Sequence, residues 1–214
     1  KQILSIGIPS GLQTSLYSFA NVIIATQVNL LGAAATTGLS IANQFDGILY
    51  QIIHAPGVAT ISYVAQNIGA CKYERVKKSI LKACLISIVF GATLGSLSAI
   101  FSKELSSIIS SSPEVIAFSQ QKMIIISSTY FICGINEVLS SALKGMGKAI
   151  LPTVSTFVYM CILRLVWVYA IYPLLPNNLT FLYLVWPVGW TLSIITLLVA
   201  YIPAMSKLQK QFTC

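Results

Sequence analysis

The chain has 214 residues, of which 56% are hydrophobic and only 8% are charged, against roughly 25% charged residues in a typical soluble domain. Its mean hydropathy is +0.83, and its net charge of +8 comes from 13 basic and five acidic side chains. This composition excludes a soluble nucleic-acid-binding protein and predicts an integral membrane protein that contacts the lipid bilayer.

Six stretches are apolar and long enough to cross a hydrocarbon core of about 30 Å, which takes about 20 helical residues. They lie near residues 4–30, 34–68, 80–101, 115–143, 149–172 and 181–204. The connections between them are short and rich in turn-forming residues, so none holds a soluble domain. We therefore predict an all-α, polytopic six-helix membrane bundle in which residues 1–214 form one lobe.

The first span carries a polar face near its middle. Gln13, Tyr17 and Asn21 follow one another at four-residue intervals, which places them on one side of a helix. Such a face does not point at lipid. It either lines a substrate cavity or forms hydrogen bonds that hold the helices together.

The second span repeats this pattern with Asp46, Tyr50 and His54. Asp46 is a carboxylate near mid-depth, where a charge costs about 2.5–3.5 kcal/mol on insertion scales. It can exchange a proton or serve as an oxygen ligand of a cation, or it is a static group bonded to Tyr50 or to a neighbouring helix. His54 either takes part in this chemistry or is a packing residue.

Pro56 and Gly57 follow within the same span. Proline removes a backbone hydrogen-bond donor, and glycine loosens the helix, so this pair predicts a kink or hinge. In the third span Ser87, Gly91, Gly95 and Ala99 recur every four residues, which predicts a seam where another helix packs closely.

The fourth span contains further candidates for a cavity wall, namely Tyr130, Asn136 and Glu137. Glu137 lies about two turns before the end of the span, so it either faces a wet vestibule or pairs with Lys144. Arg164, inside the fifth span, is expected to bond to a backbone carbonyl or an acidic partner in a structural role.

Basic residues orient the predicted bundle, because lysine and arginine accumulate on the cytoplasmic side of membranes. If Lys1 is cytoplasmic, nine more basic residues lie at the cytoplasmic ends of the predicted spans. Only Lys103 lies at their outer ends. Both termini are therefore predicted to be cytoplasmic, in the plasma membrane of a bacterium.

The sequence contains no catalytic or metal-binding motif of the kinds HExxH, CxxC, Walker loop or GxSxG, so neither an enzyme nor a resident cofactor or metal is expected. The five cysteines are odd in number and at least three lie in apolar segments, which indicates reduced packing residues.

Four short motifs then resemble one family. They are GIPSGLQ (7–13), NLLGAAA (29–35), QNIGACKYERVKKS (66–79) and SALKGMGKAILP (141–152). In this order and spacing they are similar to the seventh, eighth, tenth and eleventh helices of multidrug and toxic compound extrusion (MATE) transporters. The resemblance covers essentially the whole chain.

This resemblance implies the C-terminal six-helix lobe of a twelve-helix, two-lobed exporter. Such an exporter expels organic, often cationic, small molecules by alternating access and is coupled to H⁺ or Na⁺. The N-terminal six-helix lobe would be the partner of this chain, which alone should not transport.

Two positions depart from the NorM-like branch of that family. Tyr17 stands where that branch has a glutamate in its seventh helix, and its tenth-helix acidic residue falls near Cys133, one turn before Glu137. The resemblance therefore moves the coupling site to Asp46 or to the other lobe, as in the DinF-like branch. Two alternatives stay open, a flippase of the same superfamily for a lipid-linked sugar and a membrane scaffold that does not transport.

Overall fold

A computed structural model describes residues 2–174 and 178–212. Its α-helices are α1 (Gln2–Asn29), α2 (Ala33–Gly69), α3 (Tyr73–Ile100), α4 (Ser102–Ile109), α5 (Pro113–Ser127), α6 (Tyr130–Gly145), α7 (Ile150–Thr156), α8 (Leu163–Val166), α9 (Leu179–Tyr183) and α10 (Val185–Phe212). The described residues contain no strand, so the predicted all-α class is confirmed.

Membrane-length apolar helices make up most of the molecule. Within the described residues, four are long and apolar enough to cross a membrane, namely 33–69, 73–100, 150–174 and 179–211. The bent pair α5 and α6 makes a fifth if it is counted as one span. The predicted first span corresponds to α1, a helix of 28 residues in which several side chains are not described.

The predicted fourth span, 115–143, is wrong as one continuous helix. α5 and α6 meet at an angle of 50° across a short break. The hydroxyls of Ser128 and Thr129 both donate to the Ile125 carbonyl, at 3.1 and 3.0 Å. Such side-chain bonds compete with the backbone ladder of the helix, which accounts for a break at this point in an otherwise apolar run.

The close approach of α3 explains where this bend sits. A Cβ atom on Gly95 would overlap the Ser127 carbonyl oxygen, and one on Gly91 would lie 2.7 Å from the Phe131 Cα. The backbone of α3 therefore touches the backbone on both sides of the break. This contact confirms the small-residue seam that the sequence predicts in the third span.

The fifth span alternates between helix types. α7 is followed by a π-helical segment, Phe157–Ile162, then by the single turn of α8 and by a second π-helical segment, Trp167–Ile171. A 3₁₀ turn, Tyr172–Leu174, closes the span. π-Helical turns are rare and are found frequently at functional sites, and here they flank Arg164 on both sides.

At the predicted hinge, α2 runs through Pro56 and Gly57 as one continuous helix. The hydroxyl of Thr60 donates to the Pro56 carbonyl at 2.7 Å. A Cβ on Gly57 would lie 3.3 Å from the Glu137 carbonyl oxygen, so this glycine allows α2 to approach α6 closely. The assignment of a hinge to this pair stays a prediction.

The outward surface is apolar, as a lipid-facing surface must be. Large hydrophobic side chains such as Ile48, Val89, Ile100 and Val199 are more than half exposed. Inside, α2 packs against α3, α5 and α6, while α1 packs against α7 and the π-helical segments. The two groups of helices enclose a polar cavity.

Candidate functional site

A cavity of about 620 Å³ lies between α1, α2, α5, α6, α8 and α10. Seven residues predicted as site candidates lie on its wall: Gln13, Asn21, Asp46, Tyr50, His54, Tyr130 and Glu137. The side chain of Tyr17 lies outside the described part of the structure. The helical spacing of polar residues thus places them beside one cavity, and their role in binding a substrate or an ion stays a prediction.

Asn136 is the exception. It is buried in α6 but does not contribute to the cavity wall. Tyr130, Cys133 and Glu137 follow one another at intervals of three or four residues and share the cavity face of this helix. Asn136 lies one residue away from that register, which turns its side chain by about 100° toward a neighbouring helix.

A buried ion pair joins α2 to α5 in the cavity wall. Lys122 Nζ lies 2.6 Å from Asp46 Oδ2, and it also donates to Asn43 Oδ1, one turn earlier in α2. Lys122 is only 2% exposed. Asp46 is thus bonded to a neighbouring helix, which is one of the alternatives the sequence left open, and its charge is balanced at close range.

Glu137 lies at the centre of a second cluster. The Tyr50 hydroxyl donates to Glu137 Oε1 at 3.3 Å, and His54 Nε2 lies 3.4 Å from Oε2. The Tyr50 and His54 rings stack with their centroids 5.3 Å apart. The Glu137 side chain is 6% exposed and that of His54 is 33% exposed, so the cluster reaches from the protein interior to the cavity. Lys144, the partner in one of the two alternatives that the sequence gave for Glu137, lines the same cavity.

Arg164 projects from α8 into the same space. Its Nη1 donates to Asn21 Oδ1 at 2.8 Å, and its guanidinium carbon lies 4.5 Å from the centroid of the Trp186 ring. Lys122 Nζ lies 5.9 Å from the same ring. Two cations therefore flank one indole, an arrangement in which the ring quadrupole attracts both charges.

Gln13 combines both roles that the sequence allowed for the first helix. Its amide nitrogen donates to Thr156 Oγ1 at 2.8 Å and to Ser140 Oγ at 3.5 Å, which ties α1 to α7 and α6. Gln13 also lies on the cavity wall. Interhelical bonding and cavity lining are thus not exclusive here.

The sequence did not predict that two basic and two tryptophan side chains line the cavity. Lys122, Arg164, Trp186 and Trp190 all line the cavity. The rarity of cations inside a membrane was a usable signal for the first two. The tryptophans carry no such signal, because aromatic residues are common in apolar spans. Among the described residues, no group of three or more His, Cys, Asp or Glu side chains could hold a metal ion.

Comparison with known proteins identifies the family. The sequence model of MatE matches residues 9–170, well over half of the chain. The chain belongs to the MatE family. The resemblance to this family drawn from the four motifs is therefore confirmed.

Two relatives and one solved structure illustrate the similarity of this MatE chain to known proteins. It is 24% identical over 152 residues to the probable multidrug resistance protein YoeA of Bacillus subtilis. The aligned residues make up 71% of this chain and 33% of YoeA. It is 26% identical over 165 residues to the probable multidrug resistance protein NorM of Thermotoga maritima, covering 77% and 36% of the two chains.

One solved structure that matches is the Vibrio cholerae MATE transporter VcmN in its bent form. The TM-score is 0.83 at 16% identity, over 96% of this chain and 47% of VcmN. This likeness shows a shared fold. The MatE chain thus spans about a third of the length of these curated relatives and just under half of the VcmN chain.

Proposed function

We propose that this chain forms one six-helix lobe of an exporter that moves small organic molecules across the membrane by antiport with H⁺ or Na⁺. The observation that carries the proposal is the pair of carboxylates, Asp46 and Glu137, in the wall of a 620 Å³ cavity inside membrane-spanning helices. Buried ionisable groups in membrane-spanning helices are expensive and mark ion or substrate pathways.

Within this proposal Glu137 is the better coupling group of the two. Asp46 already has an ammonium partner at 2.6 Å, so binding a proton or a sodium ion there requires the separation of a buried ion pair. The contacts of Glu137 include a phenol and an imidazole, groups that can rearrange with the loss or gain of one proton.

Coupling then acts between α2 and α6. Tyr50 and His54 belong to α2 and Glu137 to α6, so a change in the charge of Glu137 alters the bonds between the two helices. A coupling ion shifts a conformational equilibrium only by its differential affinity for the two states. The bend between α5 and α6 is the break nearest to this cluster along the chain, and we propose that it takes up the movement.

The other lobe would close the cavity from the opposite side. A fold that covers 47% of the VcmN chain supports a two-lobed whole, with this chain as the C-terminal half. The relatives are named as multidrug resistance proteins, which supports small organic molecules over a lipid-linked sugar as the substrate. The predicted cytoplasmic position of both termini belongs to the same proposal.

The test uses the complete two-lobed protein in proteoliposomes with an imposed H⁺ or Na⁺ gradient. Glu137→Gln should lower gradient-driven dye movement by about tenfold or more, since the amide keeps the shape but cannot change its charge. Glu114→Gln, an exposed carboxylate outside the cavity, is the matched control and should match the unaltered protein. Unchanged movement in both Glu137→Gln and Asp46→Asn would contradict the proposal.

A further inference from the structure

One end of the bundle carries a dense group of basic side chains outside the cavity. Over residues 72–82 the chain has five basic side chains and a single acidic one, Glu74, which gives a net charge of +4. The five basic residues are all exposed: Lys72, Arg75, Lys77, Lys78 and Lys82. Among the described residues, none of these five forms an ion pair with a carboxylate. Their charges are therefore available to an external anion.

The last turns of α10 extend this group. Lys207 and Lys210 are both exposed and lie near the end of that helix. α10 reaches the first turns of α3, since Met205 is buried in the same apolar cluster as Val76 and Ile80. Seven exposed basic side chains thus meet at one end of the bundle, and we call them the basic patch.

The basic face of α3 continues directly into an apolar face. Five exposed residues share one side of this helix, at about 100° per residue: Arg75, Lys78, Lys82, Ile86 and Val89. Val89 is 58% exposed, as a side chain in contact with lipid must be. Lys82 precedes Val89 by only two helical turns, about 10 Å along the axis. The patch therefore lies where the hydrocarbon core ends and the lipid headgroups begin.

α3 stands on the side of the bundle that faces away from the cavity. It packs against α2, α5 and α6, yet none of its residues belongs to the described cavity wall. A second lobe that closes the cavity would meet the opposite side of these helices and leave the outer face of α3 to the lipid. This step alone rests on the two-lobed arrangement proposed above.

We propose that the basic patch binds the phosphodiester headgroups of anionic phospholipids, such as phosphatidylglycerol, in the leaflet at this end of the bundle. Clusters of about four to eight lysines and arginines beside a membrane helix attract anionic lipids electrostatically. Ammonium and guanidinium groups both donate to phosphate oxygens. The alkyl stems of Lys78 and Lys82 can lie along acyl chains while their ammonium groups reach the phosphates, which a free anion in water does not require.

Lipid selectivity is tested with the complete protein in vesicles of phosphatidylcholine. Phosphatidylglycerol or phosphatidylcholine, each spin-labelled on an acyl chain so that its headgroup is unaltered, is added in trace amounts. Electron spin resonance measures the fraction of each label that the protein immobilises. We expect the protein to favour phosphatidylglycerol by about threefold or more. NaCl at about 1 M, where the Debye length is about 3 Å, should remove most of this preference. Equal association of the two lipids would overturn the inference.

A series of variants tests the assignment to the basic patch. Lys78→Gln/Lys82→Gln should lower the preference by about half or more, whereas Lys78→Arg/Lys82→Arg keeps both charges and should keep it. Lys103→Gln removes an exposed cation at the other end of α3 and should leave the preference unchanged. Glu74→Gln removes the acidic residue within the basic run and should raise the preference, which keeps the test available if the double glutamine variant does not fold. A preference that does not follow the charge at these positions would overturn the inference.

A competition experiment separates lipid headgroups from free phosphate. Inorganic phosphate should displace no more labelled phosphatidylglycerol than NaCl does at the same ionic strength, because the lipid is also held by its acyl chains. Stronger displacement by phosphate would assign the patch to a free anion and overturn the inference. These measurements need neither a substrate nor an ion gradient. A missing lipid preference therefore leaves the exporter function intact, and a missing gradient-driven dye movement leaves the lipid preference intact.

Discussion

The ammonium group of Lys122 lies 2.6 Å from the carboxylate of Asp46 and joins α5 to α2 across 76 residues of sequence. Both groups are in the cavity wall, and Lys122 is almost completely buried. Each charge therefore offsets part of the desolvation cost of the other in this membrane-spanning bundle.

Removal of one partner of this pair should be much more costly than removal of both. We expect Lys122→Met to lower the free energy of unfolding by about 3–5 kcal/mol, because it leaves a buried carboxylate without its counterion. The double variant Asp46→Asn/Lys122→Met should recover most of this loss. Unfolding in mixed micelles, analysed as a double-mutant cycle, measures the coupling. Strictly additive losses would show that the pair does not stabilise the bundle.

The contact of α3 with the bend should make Gly95 intolerant of any side chain. The methyl group of Gly95→Ala would overlap the Ser127 carbonyl oxygen, so α3 or the bend must shift, at a cost of roughly 1–3 kcal/mol. Gly11→Ala is the matched control, since a Cβ there meets nothing within 4 Å. The difference in thermal unfolding midpoint between the two variants is the measurement. Equal midpoints would mean that Gly95 and Ser127 are far enough apart to accommodate a methyl group.

Much of this fold follows from hydropathy and spacing alone. The membrane class and the seam of α3 depend on local patterns that a single helix displays by itself. The bend at Ser128 and Thr129 is different, because these residues are common inside membrane helices. Their side-chain bonds to the Ile125 carbonyl interrupt the helix, and the α3 backbone against Ser127 and Phe131 fixes the bend there, a contact between parts of the chain that are distant in sequence.

The candidate site likewise has features that follow from patterns within one helix and features that depend on contacts between helices. Residues on one helix face, such as Asp46, Tyr50 and His54, were grouped correctly because helical geometry fixes their common side. The ion pair with Lys122 and the stacking of Arg164 on Trp186 depend on how separate helices pack. Periodicity along one segment contains no information about that packing.

The Tyr50 hydroxyl should stabilise the Glu137 cluster measurably. Tyr50→Phe keeps a ring to stack on His54 but removes the donor to Glu137, so we expect a loss of about 1.5–3 kcal/mol in the free energy of unfolding, as for hydrogen bonds to charged groups. Tyr169→Phe, at a tyrosine that is 63% exposed, should change it by less than about 0.5 kcal/mol. If the two variants are equally stable, Tyr50 contributes only its ring.

The orientation of the bundle can be tested at Cys71, an exposed thiol in the turn between α2 and α3 that precedes the basic run from Lys72 to Lys82. If basic ends are cytoplasmic, a membrane-impermeant maleimide should label Cys71 in inverted vesicles but not in intact cells. A Cys214→Ser background removes the thiol outside the described residues. Buried Cys133 should react only after unfolding. In the same background, a cysteine introduced by Ser111→Cys in the exposed α4–α5 connection should be labelled in intact cells but not in inverted vesicles. Labelling of Cys71 in intact cells would contradict the proposed topology.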